Sequence, residues 1–148
     1  MKRLKDDELI YGDDDAMYYQ GKPFTGICYD TRKSGELWSE VTYVRGLRHG
    51  VSRTLYPNGQ LQSQAHYKMA LAHGQKEEWY SDGRLKRRKV YELGSLLQEQ
   101  EFDREGRLIR ETTIDSKSLR RLEEKRRNEE RRLEGIYAKF GRPDEGEN

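Results

Sequence analysis

Two histidines occupy equivalent places in the chain and are the first candidates for chemistry. His49 and His73 are 24 residues apart, and each directly precedes a glycine. Neighbouring hairpins would hold them two strand spacings apart, roughly 9 to 10 Å, whereas a shared zinc needs each nitrogen within about 2.1 Å. Cys28, the single cysteine, is surrounded by no sequence typical of a reactive thiol. We therefore expect no catalytic, metal or cofactor site, and no enzyme activity.

Aromatic and charged side chains offer a second kind of chemistry, the recognition of another protein. Tryptophan, tyrosine and arginine most often dominate the energy of protein interfaces, and acidic residues can mimic phosphate in front of a basic cleft. The aromatic candidates fall at or near successive turns, so a flat sheet would present them together. The candidate partner-binding residues are the aromatics Trp38, Tyr56, Trp79 and Tyr80, the acids Glu36, Glu40, Glu77 and Glu78, and the bases Arg87 and Lys89.

The basic stretch RLKRRKV at residues 84–90 raises the alternative of phosphate recognition, with Trp79 and Tyr80 nearby to stack on bases. Strand alternation would send Arg87 and Lys89 to one face and the other bases to the opposite face, so no dense basic stripe forms. The net charge is only +2, and no apolar run is long enough to cross a bilayer. We therefore expect neither a nucleic-acid nor a membrane partner.

The spacing of glycine indicates an internal repeat, which must position all of these residues. A shift of 24 residues superposes one copy on the next between about Tyr18 and Ile114, and the fourth copy lacks one residue. Asn-Gly at 58–59 and Asp-Gly at 82–83 are pairs that tolerate positive φ in tight hairpin turns. The glycines assigned to turns serve the backbone and add no chemistry. They are Gly26, Gly35, Gly46, Gly50, Gly59, Gly74, Gly83, Gly94 and Gly106.

Between the turns, alternating residues predict β-strands. Leu37, Ser39, Val41 and Tyr43 would share one face of the sheet. In the third copy two of the corresponding positions have become basic, and the face reads Leu85, Arg87, Lys89 and Tyr91. Either this part of the sheet is open to water on both faces, or it meets a partner.

The repeat predicts the architecture, because one hairpin cannot bury its apolar face alone and must pair edge to edge with its neighbours. The predicted fold is mainly β: an elongated, twisted antiparallel sheet of repeated β-hairpins with a 24-residue period and a C-terminal α-helix. Residues 18–114 would form this sheet. Residues 1–17 would form an N-terminal acidic segment with partial order, residues 115–141 the charged helix, and residues 142–148 a disordered tail.

The charged segment at 115–141 is predicted to be helical because the hairpin signals stop there. Ser116 or Ser118 can cap its start, and a glycine followed two residues later by proline marks its end. Its apolar residues form a heptad-like stripe whose middle is taken by Arg126 and Glu129. We favour a helix that docks on the last hairpin through one end, and the alternative is a helix that projects towards another chain. The oligomeric state stays open.

Composition indicates a thin core and a reducing compartment. Only 32% of residues are hydrophobic while 38% are charged, a balance typical of a repetitive single-layer structure rather than of a packed enzyme. A single cysteine cannot form an internal disulfide. The start of the chain, MKRLKDDELIYGDDD, lacks the apolar segment of a secretion signal. We expect a cytoplasmic protein.

The strings YYQGKPFTG, YVRGLRHG, LYPNGQLQSQAHYKMALAHG and WYSDGRL resemble the MORN-variant repeat of YwqK-type antitoxins. The typical unit of that family alternates a y-x-N-G-k-l turn with a k-x-G-x-x-x-G turn. This chain departs from the pattern at Ala70, which replaces a glycine, and at Gln98, which replaces the closing glycine. The resemblance implies a repetitive antiparallel sheet without catalysis.

The resemblance also implies a function. It points to an antitoxin or immunity protein that binds and neutralises a cognate bacterial toxin by occlusion, and a nuclease or deaminase toxin would offer a basic active-site mouth to the acids named above. Eukaryotic MORN repeats are linked to membrane phosphoinositides and to scaffolding. The alternative is therefore a MORN-type scaffold, or a module that binds lipid or protein, with the bases at 84–89 as its contact.

Overall fold

The computed structural model describes residues 1–142, and the predicted tail lies outside them from residue 143 onwards. A short 3-10 helix (Asp6–Glu8) follows the first strand, and one α-helix, α1 (Ser116–Phe140), follows the last. The strands in chain order are β1 (Arg3–Lys5), β2 (Ile10–Tyr11), β3 (Met17–Tyr19), β4 (Lys22–Pro23), β5 (Gly26–Thr31), β6 (Leu37–Val44), β7 (Leu47–Leu55), β8 (Leu61–Lys68), β9 (Leu71–Ala72), β10 (Gly74–Trp79), β11 (Leu85–Glu92), β12 (Ser95–Phe102) and β13 (Leu108–Thr113).

The main sheet has ten strands, and its order largely follows the chain. From β5 to β13 neighbouring strands pair antiparallel, with β9 as a short side branch on β8. The strand β1 adds to β5 in parallel and forms one edge, while β2, β3 and β4 make a small separate sheet. The prediction of a mainly β sheet of repeated hairpins with a C-terminal helix is confirmed. The acidic segment at 1–17 contributes strands to both sheets.

Two-residue turns join the hairpins at one end of the strands. In Arg45-Gly46, Met69-Ala70 and Leu93-Gly94 both residues have positive φ, from 44° to 84°. This is the type I′ geometry, whose twist matches that of the flanking strands. A side chain at Gly46 would also place its Cβ 2.9 Å from the carbonyl oxygen of Met17. The glycine pattern therefore reflects both backbone conformation and close approach at this position.

Turns of a second kind join the hairpins at the other end. The amide of Gly59 donates to the carbonyl of Tyr56 over 2.9 Å, and Gly59 has φ of 84°. Asn58 does not share the positive φ predicted for the Asn-Gly pair. Its side chain instead accepts a hydrogen bond from the amide of Gln60 at 3.0 Å. The nine glycines assigned to turns from the sequence all have positive φ, namely Gly26, Gly35, Gly46, Gly50, Gly59, Gly74, Gly83, Gly94 and Gly106. Three of them, Gly26, Gly50 and Gly74, lie within strands rather than in turns, which corrects their assignment.

Ala70 is an alanine in left-handed conformation, with φ of 71°. Such a conformation costs an L-residue about 1–2 kcal/mol, and glycine's extra freedom in the unfolded chain offsets about half of that. We predict that Ala70→Gly raises the free energy of unfolding, measured by urea denaturation, by about 0.5–1 kcal/mol. The control is Gly94→Ala at the equivalent position, which should lower it by a similar amount. A destabilising Ala70→Gly would contradict this explanation.

A β-bulge recurs in each hairpin near the second kind of turn. Asp30 pairs with Ser39 but Thr31 pairs with Leu37, so one residue on β6 has no opposite neighbour. The same shift occurs between β7 and β8, between β10 and β11, and between β12 and β13. Bulges of this kind re-aim the extra side chain. The extra residues form a row along the sheet: Trp38, Gln62, Lys86 and Ile109.

Repeated hydrogen bonds tie each hairpin to the next. At one end of the strands, the Tyr56 hydroxyl donates to the carbonyl of Trp79 at 2.6 Å, and the Tyr80 hydroxyl donates to that of Phe102 at 2.8 Å. Arg32 fills the equivalent place in the first copy, donating to the carbonyl of Leu55. These side chains therefore have a structural role in the stacking of repeats.

The two histidines connect neighbouring hairpins at the opposite ends of the strands. Nδ1 of His49 accepts the amide hydrogen of Met69 at 3.1 Å, and Nδ1 of His73 accepts that of Leu93 at 3.2 Å. Each donor is the first residue of a two-residue turn in the next hairpin. The 24-residue spacing of the histidines thus follows from this contact with the backbone.

The helix α1 lies along the row of two-residue turns. Leu133 is only 1% exposed and packs with Met69 and Leu93, which are the first residues of two successive turns. Near its middle, Arg126 pairs with Glu92 at 3.1 Å. At its end, Arg45 of the first such turn donates to the carbonyl of Gly141 at 3.0 Å. The helix therefore contacts three hairpins rather than the last one alone.

The heptad stripe of the helix matches the repeat of the sheet. Seven helical residues advance about 10.5 Å, and two strand spacings advance about 9.4–9.8 Å. One heptad therefore spans about one hairpin. Arg126 pairs with Glu92 beside the turn that begins at Leu93, and Leu133 packs between that turn and the one that begins at Met69. The structure corrects two expectations: the helix docks on several hairpins, and its cap is neither Ser116 nor Ser118. Asp115 caps it, accepting the amide hydrogen of Ser118 at 2.8 Å.

Candidate protein-binding site

A groove of about 440 Å³ opens beside the row of bulge residues, and we call it the bulge groove. Three of the four aromatic candidates meet at or beside it, because the 24-residue repeat brings equivalent turns together. Trp38 stands out, with 45% of its surface exposed. The groove is lined by Trp38, Thr54, Tyr56, Gln62, Ser63, Glu78, Trp79 and Lys86.

The walls of the bulge groove are held in place by neighbouring polar groups. Thr54 and Ser63 share a 2.7 Å hydrogen bond. The Arg32 guanidinium lies 5.9 Å from the ring centre of Trp38, within the range of a cation–π contact. These contacts limit the movement of the side chains that line the groove. Little conformational entropy of the groove would therefore be lost when a partner binds. An exposed indole above a polar wall suits the capture of an apolar side chain from another protein.

The fourth aromatic candidate, Tyr80, lies one repeat away from Tyr56. Its hydroxyl is engaged with the backbone, and Lys86 and Arg104 lie 5.7 and 4.8 Å from its ring centre. Tyr56 and Tyr80 therefore combine a structural hydrogen bond with half-buried rings. Of the four aromatics, Trp38 has the indole that is most available to a partner.

The acidic candidates are placed in different environments. Glu36 is exposed beside a turn and accepts a hydrogen bond from Ser34. Glu77 and Glu78 are half-buried and pair with Arg88 and Arg87, each at 3.1 Å. Glu78 alone among the four acids lines the bulge groove.

Glu40 is the acid whose setting differs most from a surface position, since it is only 9% exposed. Its carboxylate lies between the guanidinium groups of Arg3 and Arg53, with the Nε of Arg53 at 3.0 Å. Burial disfavours its charged form, but the hydrogen bonds from the two arginines outweigh that effect, and the pKa of Glu40 lies below its ordinary value. This carboxylate acts in the structure as the bridge between β1 and the repeats.

The basic candidates lie in a network of ion pairs. Arg87 is 3.1 Å from Glu78 and 3.5 Å from Glu101, and Lys89 is 4.0 Å from Glu99. The register places Arg87 directly opposite both Glu78 on β10 and Glu101 on β12. The basic positions of the third copy are thus matched by acids on the two neighbouring strands.

Residues that were not among the sequence candidates complete the bulge groove. Gln62 and Lys86 are the repeat equivalents of Trp38, and all three are bulge residues. The 24-residue shift could have identified them, because it superposes 38 on 62 and 86. The sequence did not reveal the β-bulges, which direct these three side chains towards the bulge groove.

The side chains considered for chemistry are engaged in the fold. Burial and the neighbouring Asp6 raise the pKa of the Cys28 thiol to about 12, which keeps it protonated. Within residues 1–142, no three histidine, cysteine or acidic side chains come together as a metal site would require. None of the helices in that same range has the length and apolarity needed to cross a bilayer.

Comparison with protein families gives one match. Residues 48–69 match the MORN repeat variant, a segment that runs from the start of β7 through β8 to the first residue of the next two-residue turn. The match and the hairpin sheet support a MORN-repeat protein. No curated protein and no solved structure shows significant similarity to the chain.

Proposed function

We propose that this protein is a non-catalytic binding module that holds a protein partner at the bulge groove. The observation that carries the proposal is Trp38, which keeps 45% of its surface exposed beside a groove walled by Tyr56 and Trp79. Buried aromatic anchors supply most of the energy of many interfaces. The adjacent Glu36 is exposed and adds negative charge beside this anchor, whereas the groove residue Glu78 is paired with Arg87.

We further propose that the partner is a bacterial toxin, which the protein neutralises by covering its active site. This finer proposal is supported by the resemblance of the repeats to those of YwqK-type antitoxins. Occlusion requires a firm surface and a few anchors but no chemistry, and the antiparallel sheet with its repeated cross-hairpin hydrogen bonds provides such a surface.

A lipid-binding scaffold has less support. Its proposed contact was the basic stretch that includes Arg87 and Lys89, and those two side chains pair with Glu78, Glu99 and Glu101. A membrane phosphate would have to displace these carboxylates. Ion pairs of this density reduce the positive potential that anionic lipid would meet.

The proposal predicts the effect of removing the anchor. Trp38→Ala should weaken the complex with the partner about 30-fold, as expected for the loss of a central aromatic worth about 2 kcal/mol. The measurement is capture of the partner by the tagged full chain, followed by calorimetric titration of the purified pair. The control is Tyr11→Ala, because Tyr11 is an exposed aromatic in the small separate sheet. Equal affinity of the Trp38→Ala and native proteins would reject the bulge groove as the site.

A further inference from the structure

A second and larger groove, of about 890 Å³, lies at the opposite ends of the strands. We call it the histidine groove. Its walls come from β6, β7, β8 and β10 and from the C-terminal part of α1, where Tyr137 contributes. A volume of this size is typical of ligand sites in proteins. The bulge groove lies beside the other set of turns, so the two grooves are separate.

The charged side chains that line the histidine groove are basic. They include Lys68, Arg142 and the histidines His49, His66 and His73, and no aspartate or glutamate is among the described residues that line it. This is unusual in a chain with nearly equal numbers of acidic and basic residues. Arg142 pairs with Glu134 at 2.7 Å, which compensates its charge, so the positive charge of the groove comes mainly from Lys68. Clefts lined by one sign of charge concentrate ligands of the opposite sign.

The neutral ring of His73 is held in the tautomer that donates a hydrogen bond from Nε2. Nδ1 of His73 accepts the amide hydrogen of Leu93, so the proton of the neutral ring must be on Nε2. Burial, followed by the nearby Lys68, lowers the pKa of His73, while Glu92 acts in the opposite direction. An anion in the groove would reverse the effect of Lys68 and favour the charged imidazole.

We propose that the histidine groove binds a carboxylate-rich peptide segment, with Lys68, His66 and His73 as its contacts. This site goes beyond the proposed function, because it uses neither Trp38 nor the bulge groove. Carboxylates fit the groove better than a nucleic-acid backbone does. The next residues of the same strands on this face are Gln64 and Glu77, so a continuous line of phosphates would leave the cationic region and meet an acid.

The test is an NMR titration of the histidine ring protons in the full chain, with hexaglutamate as the probe and hexaglutamine as its uncharged match. Hexaglutamate is expected to raise the pKa of His73 by about one, and hexaglutamine to leave it unchanged. Lys68→Gln should weaken hexaglutamate binding about tenfold. Lys76→Gln should leave it unchanged, because Lys76 does not line the groove.

Several results would overturn the proposal. These are an unchanged pKa of His73 at saturating hexaglutamate, an equal response to hexaglutamine, and equal affinity of the Lys68→Gln and native proteins. A tighter response to an oligothymidylate than to hexaglutamate would overturn it in favour of a phosphate ligand. The Trp38→Ala protein should respond as the native protein does, which separates a failure of this proposal from a failure of the bulge groove.

Discussion

Replacing Leu133 with alanine is expected to lower the free energy of unfolding by about 3 kcal/mol, within the range found for truncation of buried leucines. Leu133 is the most deeply buried large side chain of the described chain, at 1% exposure. It fills the space between Met69 and Leu93, and Leu47 and Leu71 pack around the same cluster. Because the sheet is a single layer, few other contacts can compensate for the cavity.

The measurement is urea denaturation followed by far-ultraviolet circular dichroism. The matched control is Leu119→Ala, which removes the same atoms from the same helix at a position that is 42% exposed. Leu119→Ala should change the free energy of unfolding by less than about 0.5 kcal/mol. If the two variants lose the same stability, the helix does not dock through Leu133.

Replacing Glu40 with glutamine is expected to cost about 2 kcal/mol. The change keeps the shape of the side chain but leaves Arg3 and Arg53 without their shared carboxylate. Breaking a fully buried pair costs about 3–5 kcal/mol, and the smaller figure applies because the two arginines are about 40% exposed and screened by water. Glu36→Gln, at an exposed position, is the control and should have no measurable effect.

The effect of Glu40 should depend on pH, with a defined sign. The pKa of its carboxyl is lower in the folded protein than the ordinary value of 4.5. A carboxyl with a lowered folded pKa adds stability above its unfolded pKa, and that stability is lost as pH falls through the folded pKa. The difference in unfolding free energy between the native and Glu40→Gln proteins should therefore be full at pH 7 and decrease below about pH 4.5. A difference that stays constant down to pH 3 would contradict the ion-pair explanation.

The hairpin sheet could be predicted from the sequence because its signals are local. Gly59 and Gly83 mark turns whose conformation favours glycine, and a constant spacing of such turns defines strand length and pairing. The two-residue turns were less visible. Met69 and Leu93 have positive φ although neither residue type favours it, and only their place in the hairpin imposes this conformation.

Contacts between residues that are far apart in the sequence could not be predicted from local sequence patterns. The alternation of residues along β6 predicts that Glu40 is exposed. In the structure Arg3 of β1 pairs with Glu40, and β1, which pairs parallel with β5, is not part of the repeat. The bases Arg87 and Lys89 were anomalous within their own strand, and their acidic partners become evident only once the registers of β10 and β12 are known.

The candidate site was predicted in part. The repeat brings Trp38, Tyr56 and Trp79 to one groove, as the position of these residues near successive turns had indicated. Gln62 and Lys86 were missed because only the bulges show where their side chains point. The helix could have been placed from the sequence by comparing the rise of a heptad with two strand spacings, since Arg126 and Leu133 follow that interval.

The central claim is that the protein neutralises a toxin by binding it through the bulge groove. The most direct measurement is growth of cells that express a toxin encoded beside this gene, together with the native, Trp38→Ala or Tyr11→Ala protein at equal abundance. We expect growth to be restored by the native and Tyr11→Ala proteins and reduced with Trp38→Ala, whose complex should be about 30-fold weaker. Absence of protection by the native protein against every neighbouring toxin would contradict the claim, as would full protection by Trp38→Ala.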